Sequence, residues 1–146
     1  MNERTSARHR AMIRVAYTLA DLSTCRRRKV GCVLVDANYH VLATGYNGTP
    51  AGAPHCTDTP CAGAGFPSGQ GLERCEAIHA EQNALLQCAD VRRISLAYVT
   101  AFPCVHCVKL LLNTGCQSVI YGENYSHSEA VEMWERSGRR RLSVPR

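Results

Sequence analysis

Two short segments, His79-Ala80-Glu81 and Pro103-Cys104-Val105-His106-Cys107, constrain this chain more than any other feature. Each stands where an apolar helical pattern begins, the second directly after a strand-like run. Only a fold that brings both helix starts to one point gives their side chains common work. Cys104 and Cys107 are spaced i, i+3, so both sulfurs project from one first helical turn. His79 opens the other helix. One imidazole and two thiolates are three soft or borderline ligands, which suits zinc with its fourth position left open; a structural site is normally closed by a fourth protein ligand. Each helix N-terminus carries about half a positive charge, which favours thiolate over thiol.

Glu81 follows a ligand by two residues, near a metal held there but poorly placed to share it. Loss of ammonia from an amino-substituted ring needs hydroxide at the carbon, a proton on a ring nitrogen and a proton on the leaving amine. A carboxylate beside the metal moves those protons. H-x-E together with P-C-x-x-C is the signature of zinc deaminases. H-x-E alone is weak and P-C-x-x-C alone is moderate, but the pair is specific. A C-x-x-C between strand and helix also fits a redox dithiol or a non-catalytic zinc module, readings that leave Glu81 without a role. His106, between the two cysteines, is expected on the surface.

The cysteine count supports a metal. There are nine, an odd number, and no apolar stretch follows the charges of MNERTSARHR as a secretory signal would require. A chain of 146 residues also has core enough without disulfide staples. A reduced, cytoplasmic protein with thiolate ligands is therefore expected, in the host cytoplasm if phage-encoded. With 45% hydrophobic and 20% charged residues the chain is globular, and no run approaches the roughly 20 apolar residues of a membrane span. The net charge of +5 gathers at Arg26-Arg27-Arg28-Lys29 and Arg139-Arg140-Arg141. Such runs are either a solvated face or an anion site.

Periodicity predicts a helix over 5–23 with Met12, Val15, Ala16, Leu19 and Leu22 on its apolar stripe, then a hairpin over 30–45. Residues 47–75 hold six of the eleven glycines with Cys56, Cys61 and Cys75. A loop this long is functional or pinned by something. Further along come a helix over 80–89, a strand over 94–100, and a helix from Val105 stopped by Gly115 at its C′ position. A strand over 119–121, a helix opened by the capping box Ser126–Glu129, and an edge strand near Leu142 complete the order. Alternating helices and strands predict a three-layer α/β/α sandwich with a mixed five-stranded sheet. The whole of 1–146 reads as one domain with a Gly/Pro/Cys-rich insertion at about 47–75.

The sequence resembles the cytidine-deaminase superfamily, specifically the deoxycytidylate (dCMP) deaminases of bacteria, archaea and phages. The resemblance runs over roughly 12–144 and is carried by STCRRRKVGCVLVD, ATGYNGTPAG, His55-Cys56, HAEQNALL, PCVHC and the segment from Tyr121 to Tyr125. It implies His79, Cys104 and Cys107 as catalytic zinc ligands and Glu81 as proton shuttle. It implies a substrate site with Asn47 on the sugar hydroxyl, Ala80 and Tyr125 near base and sugar, and Arg27 and Arg28 near the 5′-phosphate. A second, structural zinc is implied at Cys25 and Cys56. Some phage relatives use a carboxylate two residues before the catalytic His, and here that position is Ala77. Cys61 and Cys75 stand in as substitutes, with His55 or Glu76 able to displace one ligand. Homo-oligomers, often hexamers, and control by dCTP or dTTP with Mg²⁺ are further family traits, although Gln87 and Asp90 depart from some phage relatives in the following helix.

The implied reaction is hydrolysis of dCMP to dUMP and ammonia, supplying dUMP for dTMP synthesis. Alternatives inside the same chemistry are CMP, a 5-modified dCMP, adenosine in tRNA, or cytosine in single-stranded DNA. A polynucleotide needs an extended basic groove. The 47–75 segment reads instead as a wall around a small ligand, so nucleic acid and membranes are not expected as partners.

Overall fold

The computed structural model describes residues 1–124 and 127–146. Helix α1 spans Glu3–Ala20, strands β1 and β2 span Gly31–Val35 and Val41–Tyr46, and α2 spans Ala80–Gln87. A 3₁₀ turn at Val91–Arg93 leads into β3 (Leu96–Ala101), then α3 (Val105–Leu112), β4 (Ser118–Glu123), α4 (Ser128–Arg136) and β5 (Arg140–Ser143). The strands form one sheet in the order β2-β1-β3-β4-β5. β1 runs antiparallel to both β2 and β3, whereas β3, β4 and β5 are parallel, so the expected mixed five-stranded sheet is present.

Alternation along the strands divides the core between two faces. Val33, Val35, Tyr98 and Ile120 face α1, where they meet Ile13 and Ala16. Cys32, Leu34, Ala97, Val99, Val119 and Tyr121 face the other way and meet Ala80 and Ala84 of α2, Val108 and Leu111 of α3, and Ala130 and Trp134 of α4. Cys32 and Cys116 are plain core residues with no exposed surface, and Cys88 is half-buried.

The structure corrects three expectations. The buried stripe of α1 is His9, Ile13, Ala16 and Ala20, while Val15 and Leu22 are exposed. His9 is tolerated there because its Nδ1 lies 2.8 Å from the Tyr98 hydroxyl. Gly115 is not a left-handed stop: α3 ends at Leu112 with Asn113 as its C-cap, and Gly115 is required because a Cβ would lie 2.1 Å from the Arg92 carbonyl oxygen. The last helix begins at Ser128 with His127 as its N-cap, and Ser126 of the expected capping box lies outside the described residues.

Close approach of backbone also places α2. A Cβ on Gly45 of β2 would sit 2.2 Å from the Ala80 carbonyl oxygen and 2.5 Å from the Ala84 nitrogen. A glycine there lets the helix lie directly on the sheet, and its first turn is where His79 and Glu81 stand. At that turn Gln82 Oε1 accepts from the His79 backbone N–H at 2.8 Å, and Asn83 donates to the Tyr46 carbonyl at 2.8 Å. Among the described residues no helix is long and apolar enough to cross a membrane.

Residues 49–77 contain neither helix nor strand. A two-way backbone bridge between Gly48 and Ile78 closes the segment at its base, and the Thr57 N–H donates to the Thr24 carbonyl at 3.1 Å.

Candidate active site

The starts of α2 and α3 meet. His79 Nδ1 lies 3.4 Å from Cys104 Sγ and 3.4 Å from Cys107 Sγ. Zinc–sulfur and zinc–nitrogen bonds of about 2.3 and 2.0–2.1 Å at a tetrahedral angle separate N from S by about 3.5 Å. Both N–S separations therefore match those of a zinc site, and all three ligand atoms lie within 4.8 Å of one another. Among the described residues this is the one group of three or more His, Cys, Asp or Glu side chains whose ligand atoms gather within reach of a single ion. Cys104 and Cys107 are buried, and His106 points out to solvent as expected.

Electrostatics favour a cation. Cys104 is held down to about 3, first by the hydrogen bond it takes from Cys107 and then by that from His79. Cys107 is pushed up because its proton is shared with Cys104 and because it is buried. The hydrogen bond to Cys104 raises His79 against the opposite effect of burial. Three groups thus compete for protons in a space that one divalent ion would fill. Glu81 is buried at 4% exposure, and burial raises its carboxyl to about 7 despite the nearby His79 charge. A carboxyl poised there both accepts and donates protons near neutrality.

These groups open on a cleft whose lining includes His79, Ala80, Glu81 and Cys104, with Asn47, Arg27, Arg28, Cys25 and Cys75. Asn47 is buried, and most of its polar capacity is spent locally. Its Oδ1 accepts from Ser23 Oγ at 2.6 Å and from the Val30 N–H at 2.8 Å, and its Nδ2 donates to the Arg28 carbonyl at 2.8 Å. One Nδ2 hydrogen is left over by this count. Arg28 pairs with Glu123 at 2.7 Å. Arg27 donates from Nη1 to the carbonyls of Phe66 and Pro67, at 3.3 and 3.0 Å, and to that of Gln70. Tyr125 lies outside the described residues.

Of the four cysteines expected around a structural zinc, two are in contact and two line the cleft. Cys61 hydrogen-bonds Cys56, and backbone N–H groups, that of Glu76 first, hold its thiol below the ordinary range. Cys25 and Cys75 instead line the cleft. Cys61 opens one turn, and Cys75 closes another that ends on the Gly71 and Leu72 carbonyls. Sequence reasoning also missed Phe102, Ser68, Gly69 and Leu72 as lining residues. Phe102 had a usable signal, since it sits between the end of β3 and Pro103-Cys104. Its ring packs edge-on against Tyr121 at 5.2 Å, and Arg141 holds the Tyr121 hydroxyl at 2.6 Å.

Comparison with known proteins follows this geometry. Residues 6–123 match the family model of the cytidine and deoxycytidylate deaminase zinc-binding region. The chain belongs to that family. It is 39% identical over 116 residues to a deoxycytidylate deaminase of Schizosaccharomyces pombe, covering 77% of this chain and 36% of that protein. It is 42% identical over 113 residues to the deoxycytidylate deaminase of Mycobacterium phage D29, covering 73% of this chain and 88% of the phage protein. The chain thus spans about a third of the yeast relative and most of the phage one. The dCMP deaminase of cyanophage S-TIM5, solved in complex with dCMP and dUMP, superposes with a TM-score of 0.76 at 26% identity over 99% of both chains.

Proposed function

We propose that the protein hydrolyses dCMP to dUMP and ammonia, with zinc held by His79, Cys104 and Cys107. The observation that carries this reading is the buried Glu81 carboxyl beside a His/Cys/Cys group of zinc spacing, in a cleft also lined by Asn47 and two arginines. The choice of dCMP is supported by the names of the S. pombe and phage D29 relatives and by the ligands of the cyanophage complex. Zinc, when bound, supplies a Lewis acid that lets a water ionise near neutral pH. Glu81 takes the proton so released. It delivers that proton to the ring nitrogen of the pyrimidine, then takes the remaining proton from the hydroxyl of the addition product and passes it to the departing amine, so one carboxyl serves as base and acid in turn. The low exposure of Glu81 keeps bulk water from short-circuiting these transfers.

We extend the proposal to a structural zinc on the cysteine-rich loop, supported by the contact between Cys56 and Cys61; two zinc ions per chain by elemental analysis is the expected count. Control by dCTP or dTTP with Mg²⁺, and a homo-hexamer, rest on the family resemblance alone. Assays with and without dCTP–Mg²⁺ and the mass in solution by light scattering test them. The deciding experiment is ammonia release from dCMP, CMP, deoxycytidine and single-stranded DNA side by side. Fast turnover of dCMP with little on the others is expected, and activity confined to DNA would overturn the reading. Glu81→Gln should lower kcat on dCMP by roughly 10³-fold while zinc content stays at the wild-type value.

A further inference from the structure

We propose that Arg27 is the clasp of the cleft: it holds the strap formed by residues 66–72 as a wall, and so sets affinity for the whole ligand independently of its phosphate. This rests on the deaminase reading above, because it concerns the same cleft. Three carbonyl oxygens, those of Phe66, Pro67 and Gln70, converge on Arg27 Nη1. Carbonyl dipoles aimed at one point repel each other, and a guanidinium nitrogen at that point turns the repulsion into charge-assisted hydrogen bonding.

The strap needs such a clasp. It has no helix or strand of its own, and Phe66, around which it folds, is 38% exposed and gives it no core anchor. Its shape depends on two turns. Gln70 N–H donates to the Pro67 carbonyl at 3.0 Å with Gly69 at φ +83°, and Arg74 N–H donates to the Gly71 carbonyl at 3.0 Å with Gly71 at φ +59°. A Cβ at Gly71 would also lie 2.5 Å from the Phe66 ring. Ser68, Gly69 and Leu72 of this strap line the same cleft as His79 and Glu81. The adjacent arginine has a different partner, since Arg28 pairs with Glu123 at the end of β4. Two neighbours in one basic run therefore divide the work, and the first has its Nη1 turned to main chain.

The test compares wild type, Arg27→Ala and Gly71→Ala, all zinc-loaded. Arg27→Ala should raise KM for dCMP and for deoxycytidine by the same factor, roughly tenfold. It should also speed tryptic cleavage after the exposed Arg74 by a similar factor, because the strap opens more often. Gly71→Ala deforms the strap and keeps every charge, so it should give the same paired signature even if Arg27→Ala fails to fold. A rise in KM for dCMP alone, with deoxycytidine and the cleavage rate unchanged, would make Arg27 a phosphate ligand and overturn the clasp. If wild type deaminates neither substrate, the assigned reaction is wrong, and the cleavage rates of the two variants still decide the clasp.

Discussion

The chain uses cysteine in two contrasting settings. At the start of α3, Cys104 and Cys107 are carried by a regular helix docked on the sheet, and both sulfurs stand 3.4 Å from His79 Nδ1. Along 56–75, Cys56, Cys61 and Cys75 ride on successive turns, with Cys56 hydrogen-bonded to Cys61. The difference shows what makes a cluster rigid. On a helix, sequence spacing converts directly into side-chain direction. On a run of turns, each residue's direction depends on backbone angles set by distant contacts such as the Arg27 clasp.

The largest expected effect tests that contrast directly. Cys104→Ala should abolish turnover of dCMP and release the catalytic zinc, whereas Cys61→Ser should keep catalytic zinc and lower kcat/KM less than about tenfold. Zinc stoichiometry and initial rates on both proteins check it, and equal losses would erase the distinction between the two settings. A smaller effect should follow from Gly45→Ala, which adds a methyl against the backbone of α2. Overpacking of this kind costs about 1–3 kcal/mol. A lower melting temperature should come with weaker zinc retention, because the displaced helix carries His79; melting with and without chelator measures both.

The smallest effect lies at the opposite end of β1, in a turn organised by one side chain. Asp36 accepts from the backbone N–H groups of Asn38 and His40 at 2.8 and 3.0 Å, and those bonds, that of His40 first, hold its carboxyl below the usual range. A depressed carboxyl stabilises the fold above its unfolded pKa of about 3.9, and the contribution is lost as pH falls through the lower folded value. Asp36→Asn should therefore melt below wild type at pH 7, and the gap should close below about pH 4. A pH-independent gap would show that the turn does not depend on this charge.

Much of this molecule is written in periodicity and in two motifs. Residues 31–35 and 41–46 alternate or run apolar between turn signals, and they pair as a hairpin. His79, Glu81, Cys104 and Cys107 were legible because each sits at a helix start, where type and spacing carry geometry. What escaped depends on partners far along the chain. His9 looked polar, yet it is buried because Tyr98, 89 residues on, offers it a hydroxyl. Gly115 looked like a helix stop, but its smallness serves the Arg92 carbonyl oxygen. Arg27 read as a phosphate contact, and its Nη1 contacts with main chain went unread because carbonyl acceptors leave no trace in side-chain identity.

The ligand triplet has one more consequence, for the order in which the molecule becomes whole. His79 and Cys104 are 25 residues apart, with α2 and β3 lying between them. An ion bound by both would act as a cross-link closing that stretch of chain, removing loop entropy from the unfolded ensemble much as a covalent bridge does. Capture of the ion then becomes a late checkpoint of folding, passed only by chains in which α2 and α3 have both docked on the sheet. The same three side chains that serve the reaction would also certify that the scaffold around them is complete.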